Sequence, residues 1–234
     1  MAPANGERVL RVFAELLPAD REELAMLETL DRGKPLTDSL KVDVPSAARC
    51  IQWYAESIDN LYDEIAPTGP QALAMVVREP VGVVGAIVPW NFPLIMAAWK
   101  IGPLLAAGNS LVLKPSEKSP LTAIRIAALA VEAGVPEGVF NVVPGFGHEA
   151  GEALALHMDV DAIGFTGSTR TGRRMLDYSS RSNLKRVYNE LGGKSANIVF
   201  ADFDDLDRAA STAIGSMFYN QGESCNAPSR LLVE

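Results

Sequence analysis

Apolar runs and amphipathic segments alternate along the chain in a regular order from residue 81 onward. Short apolar runs of strand length are separated by longer segments in which apolar positions recur at helical spacing. The predicted strands are 81–88, 110–114, 139–143, 161–165, 185–191 and 196–200, and the predicted helices are 93–108, 120–133, 148–156, 170–179 and 205–219. Strands separated by helices pair in parallel, and continuous apolar runs are typical of strands covered on both faces. The pattern predicts an α/β fold with a doubly wound parallel sheet.

The first 80 residues have a different pattern. Apolar positions recur at helical spacing over 7–30, where Pro18 should separate two amphipathic helices, and again over 44–62. Cys50 falls among apolar residues of the later helix, so we interpret it as a core thiol. Residues 63–80 hold a proline- and glycine-rich turn before an exposed strand, which predicts a projecting hairpin.

Composition and charge argue against several classes of function. A formal net charge of −8 argues against a nucleic-acid partner and against attachment to an anionic membrane. No apolar run reaches the ~18 residues of a membrane span. The start lacks the apolar core of a signal peptide and there are only two cysteines, so we expect a cytoplasmic protein. Two histidines and two cysteines offer little for a metal site, and none is predicted.

Polar or glycine-rich segments follow five of the predicted strands, where ligands bind in doubly wound sheets. These segments are 89–91, 114–117, 144–147, 166–168 and 190–193. The glycines of the segment 144–151 miss the dinucleotide fingerprint by one residue, and 165–172 is a second glycine-rich turn before a helix. The residues alone predict a ligand site at this edge. The alternatives are that the glycine-rich segments are ordinary turns and that Lys114 and Glu117 are a solvated pair of surface charges.

Cys225 lies in the polar, glycine-containing stretch NQGESCN, after a predicted helix. Most lone cysteines are structural, and a free thiol is mostly protonated at neutral pH. The polar neighbours nevertheless indicate that this thiol lies outside the apolar core. His148 falls in a turn and His157 near a helix end, and we interpret both as surface residues. A Cys–His hydrolase is therefore disfavoured.

Five motifs resemble the signature series of the aldehyde dehydrogenase superfamily, in the same order and at similar spacing: VPWNFP (88–93), LKPSE (113–117), FTGS (165–168), ELGGKS (190–195) and NQGESC (220–225). The resemblance runs from about Glu7 to Glu234. It implies NAD-dependent oxidation of an aldehyde to a carboxylic acid. In that chemistry Cys225 would be the nucleophile, Asn91 would hold the oxyanion together with the Cys225 backbone N–H, and Glu190 would activate the hydrolytic water.

The resemblance also implies a cofactor groove. Its expected residues are Ile87, Pro89, Trp90, Lys114, Glu117, Gly147, Gly151, Phe165, Thr166, Gly167, Ser168 and Leu191. Among them, Lys114 and Glu117 would contact the adenosine ribose. A carboxylate at Glu117 would repel a 2′-phosphate, so NAD is expected rather than NADP.

The family pattern gives each segment an expected role. Residues 1–62 would be helices of a Rossmann-like cofactor domain, 63–80 an oligomerisation hairpin, 81–192 the NAD-binding core and 193–234 the start of a catalytic domain. Because family members are considerably longer, we expect the catalytic domain to be truncated and the usual first segment to be missing before Glu7. The longer form would be a homo-oligomer.

The stretch 31–60 resembles the branch that acts on aminoaldehydes, such as γ-glutamyl-aminobutyraldehyde, or on betaine aldehyde. The motif around Cys225 departs from many relatives by carrying Glu223 in place of glutamine. Two other functions compete with aldehyde oxidation. One is an inactive NAD-binding fragment or structural partner of an aldehyde dehydrogenase, and the other is an acyltransferase or esterase that uses the same cysteine.

Overall fold

The computed structural model describes residues 3–234, and the side chains of residues 5–234. Its first part is helical and ends in a hairpin. The elements are α1 (Pro3–Ala19), α2 (Arg21–Arg32), the single turn α3 (Leu36–Asp38), α4 (Val44–Ser57), β1 (Glu64–Ala66) and β2 (Ala74–Val76). A wide helical turn, Ser39–Asp43, joins α3 to α4. Strands β1 and β2 pair antiparallel, which confirms the predicted hairpin.

The central part alternates strands and helices as predicted. Its elements are β3 (Val83–Ile87), α5 (Pro93–Ala106), β4 (Ser110–Lys114), α6 (Leu121–Glu132), β5 (Phe140–Val142), α7 (Glu152–Leu156), β6 (Ala162–Gly167), α8 (Thr169–Ser180) and β7 (Arg186–Leu191). The five strands form one sheet in the order β5-β4-β3-β6-β7, and every pair is parallel. The predicted doubly wound α/β fold is confirmed.

The last part forms a separate sheet. It contains β8 (Ala196–Val199), α9 (Leu206–Phe218) and β9 (Arg230–Val233), and β8 pairs with β9 in parallel. The strand that the apolar pattern placed at 196–200 therefore does not extend the central sheet. The change of sheet falls between Leu191, the last residue of β7, and Ala196, the first residue of β8.

Apolar residues cover both faces of the central sheet. Side chains alternate along a strand, so Ala86 and Val88 join the core cluster with α1, α4, α5 and α6, whereas Ile87 joins the cluster with α7 and α8. Helices α4 and α5 pack closely because position 102 is glycine. A Cβ on Gly102 would lie 2.6 Å from Cδ2 of Tyr54.

Three local predictions require correction. The two predicted helices are confirmed, but the break between them falls at Asp20, two residues after Pro18, which lies in the last turn of α1. Pro120 occupies the cap position of α6, so that helix begins one residue later than predicted, at Leu121. Cys50 is only partly buried, although its Sγ packs 3.7 Å from the Ala98 carbonyl oxygen and burial raises its pKa.

A buried polar network links α2 to the start of α5. Glu28, Lys34 and Asp43 are all buried. The Lys34 Nζ lies 2.8 Å from Oδ1 and 2.7 Å from Oδ2 of Asp43. The backbone N–H of Leu94 donates to Oε1 of Glu28 at 3.3 Å. The network therefore fixes the direction in which α5 leaves β3.

Burial raises the pKa of Glu28 to about 8, and the negative charge of Asp43 adds to the effect. Within the described residues, Oε2 of Glu28 has no hydrogen-bond partner, which suits a neutral carboxyl better than a carboxylate. Burial therefore favours the protonated form of the Glu28 carboxyl in the folded chain.

Glu28→Gln should weaken the pH dependence of folding stability. An unfolded glutamate titrates near 4.5, so between about pH 4.5 and 8 the folded state holds a proton that the unfolded state has released. The free energy of unfolding of the wild type should then fall with rising pH by up to about 1.4 kcal/mol per unit from this group. Glutamine cannot ionise, so its slope should be shallower. Urea unfolding at pH 5.5, 6.5 and 7.5 measures both slopes.

Glu22→Gln is the matched control, because Glu22 is exposed on the same helix. It should keep the wild-type slope. Asp43, whose pKa burial also raises, is present in every variant, so its own titration does not distinguish them. Equal slopes for Glu28→Gln and wild type would contradict the buried neutral carboxyl.

Candidate functional site

The strand order creates a crevice between β3 and β6. The chain runs from β3 to β4 and β5 on one side, and then returns to β6 on the other side of β3. Connections that diverge from neighbouring strands leave a gap at the carboxyl ends, which is where ligands bind in such sheets. The segments 89–91 and 166–168 follow β3 and end β6, so both border this gap.

A cleft of about 360 Å³ opens at this edge. The three residues with predicted catalytic roles, Asn91, Glu190 and Cys225, all line it. So do six of the residues predicted to bind the cofactor: Pro89, Trp90, Thr166, Gly167, Ser168 and Leu191. Side chains from the loop after β3, from β7 and from the loop after α9 therefore converge on one space, although up to 134 positions separate them in sequence (Asn91 to Cys225).

Asn91 is held by two hydrogen bonds to residues 219–225, which we call the cysteine loop. Its side-chain Nδ2 donates to the Glu223 carbonyl oxygen at 2.7 Å. Its own carbonyl oxygen accepts from Nδ2 of Asn220 at 2.8 Å. An amide has two N–H donors, so one donor of Asn91 stays available to a bound molecule.

The cysteine loop has an unusual backbone. Asn220, Gln221 and Gly222 have φ values of 51°, 61° and 75°, in the left-handed region. This region costs a non-glycine residue roughly 1–2 kcal/mol, so the conformation requires support from neighbouring residues. The loop leaves Cys225 exposed, and the Cys225 carbonyl oxygen accepts from the Gly193 N–H at 3.3 Å. The prediction that this thiol lies outside the apolar core is confirmed.

Glu190 projects from β7 next to Thr166 of β6, its partner in the parallel register. Lys100 of α5 lies near enough for the two charges to interact. Burial lowers the pKa of Lys100, and the negative charge of Glu190 acts in the opposite direction. Lys100 is the only charged residue in the apolar helix 93–106, a signal from which the sequence could have drawn attention to it.

Lys114 and Glu117 follow β4 at the same edge of the sheet. Lys114 is 2% exposed, so describing the pair as solvated surface charges is wrong for the lysine. Its Nζ lies 3.4 Å from Oε2 of Glu117, whose side chain is 40% exposed. The pKa of Glu117 is held below its usual value first by its own backbone N–H and then by the Lys114 charge. The carboxylate is therefore ionised and accessible.

The other predicted cofactor residues take different positions. Ile87 and Phe165 are buried partners in the register between β3 and β6. Gly147 and Gly151 bound the wide turn before α7. These four, with Lys114 and Glu117, are not among the residues that line the cleft in the described chain.

Ser168 caps α8 with its side chain. The Ser168 Oγ accepts from the Thr171 N–H at 3.3 Å and donates to Thr171 Oγ1 at 3.1 Å. The Ser168 hydroxyl is therefore already engaged within the cap of α8. What α8 offers a ligand is its remaining backbone N–H groups.

Two cations near Trp90 were not predicted from the sequence. The Arg32 Cζ lies 4.5 Å from the centre of a Trp90 ring, and the Lys118 Nζ lies 5.4 Å from it. Arg32 belongs to α2, in a region whose pattern indicated only packing helices. Nothing in that pattern shows that the end of α2 reaches the cleft.

Two features are absent from residues 3–234, the part of the chain that the structure describes. No group of three or more His, Cys, Asp and Glu side chains there is placed to hold a metal ion. No helix in the same residues combines the length and apolar character needed to cross a membrane. The histidines predicted at the surface, His148 and His157, are both exposed.

Comparison with known proteins places the whole chain in one family. The model of the aldehyde dehydrogenase family matches residues 1–234. The NADP/NAD-dependent aldehyde dehydrogenase PuuC of Escherichia coli K12 is 63% identical over 233 residues, which cover 100% of this chain and 47% of PuuC. The chain thus spans about half the length of the curated relatives it matches.

Solved structures agree in fold. A crystal structure of an indole-3-acetaldehyde dehydrogenase with NAD+ superposes with a TM-score of 0.98 at 62% identity, over 100% of this chain and 47% of that one. The γ-glutamyl-γ-aminobutyraldehyde dehydrogenase of Burkholderia cenocepacia gives 0.97 at 61% identity, with the same coverage. The switch-point cleft, the five sequence motifs and the match over every residue lead to one conclusion: the chain belongs to the aldehyde dehydrogenase family.

Proposed function

We propose that this sequence carries out NAD-dependent oxidation of an aldehyde to a carboxylic acid, with Cys225 as the nucleophile. One observation carries the proposal: Cys225, Asn91 and Glu190 line a single cleft at the switch point of the sheet. A thiol, an amide donor and a carboxylate are the groups required to form and hydrolyse a thioester. The exposed Cys225 is accessible to a carbonyl carbon entering the cleft.

Asn91 and the Cys225 backbone would stabilise the oxyanion. When the sulfur adds to the carbonyl carbon, the oxygen becomes negatively charged. The free N–H of the Asn91 amide and the N–H of Cys225 are its donors, and losing one such donor typically slows a reaction by about 10²–10³. Because Glu223 holds the other Asn91 N–H, the amide is oriented before the substrate arrives.

Glu190 would act as the base in the second half of the reaction. A carboxylate that accepts a proton from water makes that water able to attack the thioester carbon. The C–S bond then breaks, the acid leaves and the thiol is restored. Glu190 lines the same cleft as Cys225, so a water held between them would be within reach of the thioester carbon.

The residues beyond β3, β4 and β6 fit a dinucleotide. The buried Lys114 and the accessible Glu117 carboxylate provide a donor and an acceptor for a ribose, and the first turn of α8 provides backbone N–H groups for a phosphate. When bound, the nicotinamide supplies the acceptor for the two electrons released as the thiohemiacetal becomes a thioester. The Glu117 charge favours NAD over NADP, although the relative PuuC carries both in its name.

An aminoaldehyde such as γ-glutamyl-aminobutyraldehyde is the substrate class we propose. The stretch 31–60 and the relative from Burkholderia cenocepacia support it. A relative of nearly equal identity is named for indole-3-acetaldehyde, so identity alone does not separate the two classes. Substrate tests should therefore include both.

We also propose that the protein is cytoplasmic and assembles as a homo-oligomer through the hairpin of β1 and β2. Ile65, Leu73 and Met75 on this hairpin are 75%, 71% and 63% exposed. Contiguous apolar surface of this kind is typical of a contact between proteins. In this proposal residues 1–62 and 81–192 form the cofactor domain, and 193–234 belong to a catalytic domain.

Cys225→Ser should abolish NADH formation. A serine hydroxyl is a weaker nucleophile at neutral pH and would leave a less reactive ester. The assay follows NADH absorbance with γ-glutamyl-aminobutyraldehyde, betaine aldehyde and indole-3-acetaldehyde. Cys50→Ser is the matched control and should keep the wild-type rate, because Cys50 lies in the helical layer. Calorimetric binding of NAD without any NADH from the wild type would instead identify a binding fragment, and coenzyme A dependence would indicate an acyltransferase.

Glu190→Gln should separate the two halves of the reaction. Without a base, thioester formation continues and hydrolysis slows by about 10²–10⁴. We expect close to one equivalent of NADH per site, followed by a stall, and an acyl group on Cys225 in the intact mass. Glu137→Gln, at an exposed carboxylate outside the cleft, should turn over normally. Continuous turnover by Glu190→Gln would remove Glu190 from the proposed role.

A further inference from the structure

The end of α2 contacts the cysteine loop through three side-chain hydrogen bonds. The Arg32 Nη2 donates to Oε2 of Glu223 in a close ion pair, and to Oε1 of Gln221 at 3.3 Å. In return, Nε2 of Gln221 donates to the Gly33 carbonyl oxygen at 3.3 Å. Arg32 is 189 residues from Gln221 in the chain, so these bonds join two parts of the fold that no local signal connects.

Arg32 also contacts the wall of the cleft. Its Cζ lies 4.5 Å from the centre of a Trp90 ring, and its side chain is 9% exposed. A guanidinium can stack on an aromatic face while its N–H groups donate in the plane, and a lysine ammonium lacks that geometry. The side chain at the end of α2 therefore contacts both Trp90, in the predicted wall of the cofactor groove, and the cysteine loop.

The cysteine loop needs such support. Two of its non-glycine residues, Asn220 and Gln221, lie in the left-handed region. The loop also supplies the Glu223 carbonyl oxygen that accepts from the Asn91 amide at 2.7 Å. Any shift of Glu223 would move the acceptor that orients Asn91.

We propose that Arg32 is a positioning residue for the nucleophile: its guanidinium, between Trp90 and Glu223, holds the cysteine loop in register with Asn91. The inference rests on the proposed roles of Cys225 and Asn91. It assigns a partner to Glu223, the residue at which the motif departs from glutamine. A carboxylate at this position requires a cation, whereas a glutamine would not.

If the ion pair orders the cysteine loop, removing both charges together should disturb the loop less than removing Arg32 alone. Arg32→Met leaves the partly buried Glu223 carboxylate without its partner, so the loop should loosen. Glu223→Gln keeps an acceptor for Arg32 and should have a smaller effect. In Arg32→Met/Glu223→Gln no charge is left uncompensated, so most of the order should return. If Arg32 acted only through the packing of its stem, the double variant would be as disordered as Arg32→Met.

Hydrogen–deuterium exchange of the 234-residue chain tests this without requiring turnover. The reporting amides are Glu223 N–H, which donates to Asn220 O at 3.1 Å, and Ala227 N–H, which donates to Ser224 O at 3.2 Å. In Arg32→Met we expect exchange of both to accelerate about tenfold, in Glu223→Gln about twofold to threefold, and in the double variant close to Glu223→Gln. Amides of β3 and β4 serve as the internal control and should stay at the wild-type rate.

Two results would overturn the inference: Arg32→Met exchange within twofold of wild type, or a double variant as fast as Arg32→Met. If Arg32→Met does not fold, Glu223→Lys replaces it. A cation facing Arg32 should accelerate amide exchange in the cysteine loop by at least as much. Wild-type exchange rates in Glu223→Lys would also refute the ion pair. Enzyme turnover is measured in a separate assay of NADH formation. A wild type that forms no NADH would count against the proposed function, while the exchange rates would still decide the role of Arg32.

Discussion

The two hydrogen bonds between Asn91 and the cysteine loop are the interaction on which the site depends. One side of the pair follows β3 and is fixed by the central sheet, and the other belongs to a loop with left-handed backbone at Asn220 and Gln221. Neither side could hold its geometry alone, because the loop is strained and a free amide would rotate in water. Their pairing brings the Cys225 thiol and the Asn91 amide to the cleft that Glu190 of β7 also lines.

The layers behind this junction give it rigidity. Glu28 and the Lys34–Asp43 pair fix the start of α5, directly after Asn91. Lys34 also lies 4.6 Å from the ring centre of Phe92 and 5.5 Å from that of Tyr219, which flank the two halves of the junction. The N-terminal helices therefore do more than cover the sheet, since their polar ends reach the residues that orient the site.

The α/β architecture could be predicted from the sequence because buried parallel strands have a simple apolar pattern. The strand ends then identified Asn91, Glu190 and, through the family motifs, Cys225. The contributions of Arg32 and Lys34 could not be predicted, because they depend on contacts across more than a hundred residues of chain. The break after the first helix was placed two residues early, because α1 continues through Pro18 to Ala19.

Thiol cross-linking directly tests whether the side chains at positions 190 and 225 lie close together in one site. A Glu190→Cys variant in a Cys50→Ser background carries two thiols, at positions 190 and 225, and is treated with a short bifunctional thiol reagent. The account predicts rapid formation of a linked 190–225 peptide, detected by mass spectrometry after digestion, and no such link in a Glu137→Cys control. Equal linkage in the two variants, or none at position 190, would show that the thiol and the carboxylate do not share a site.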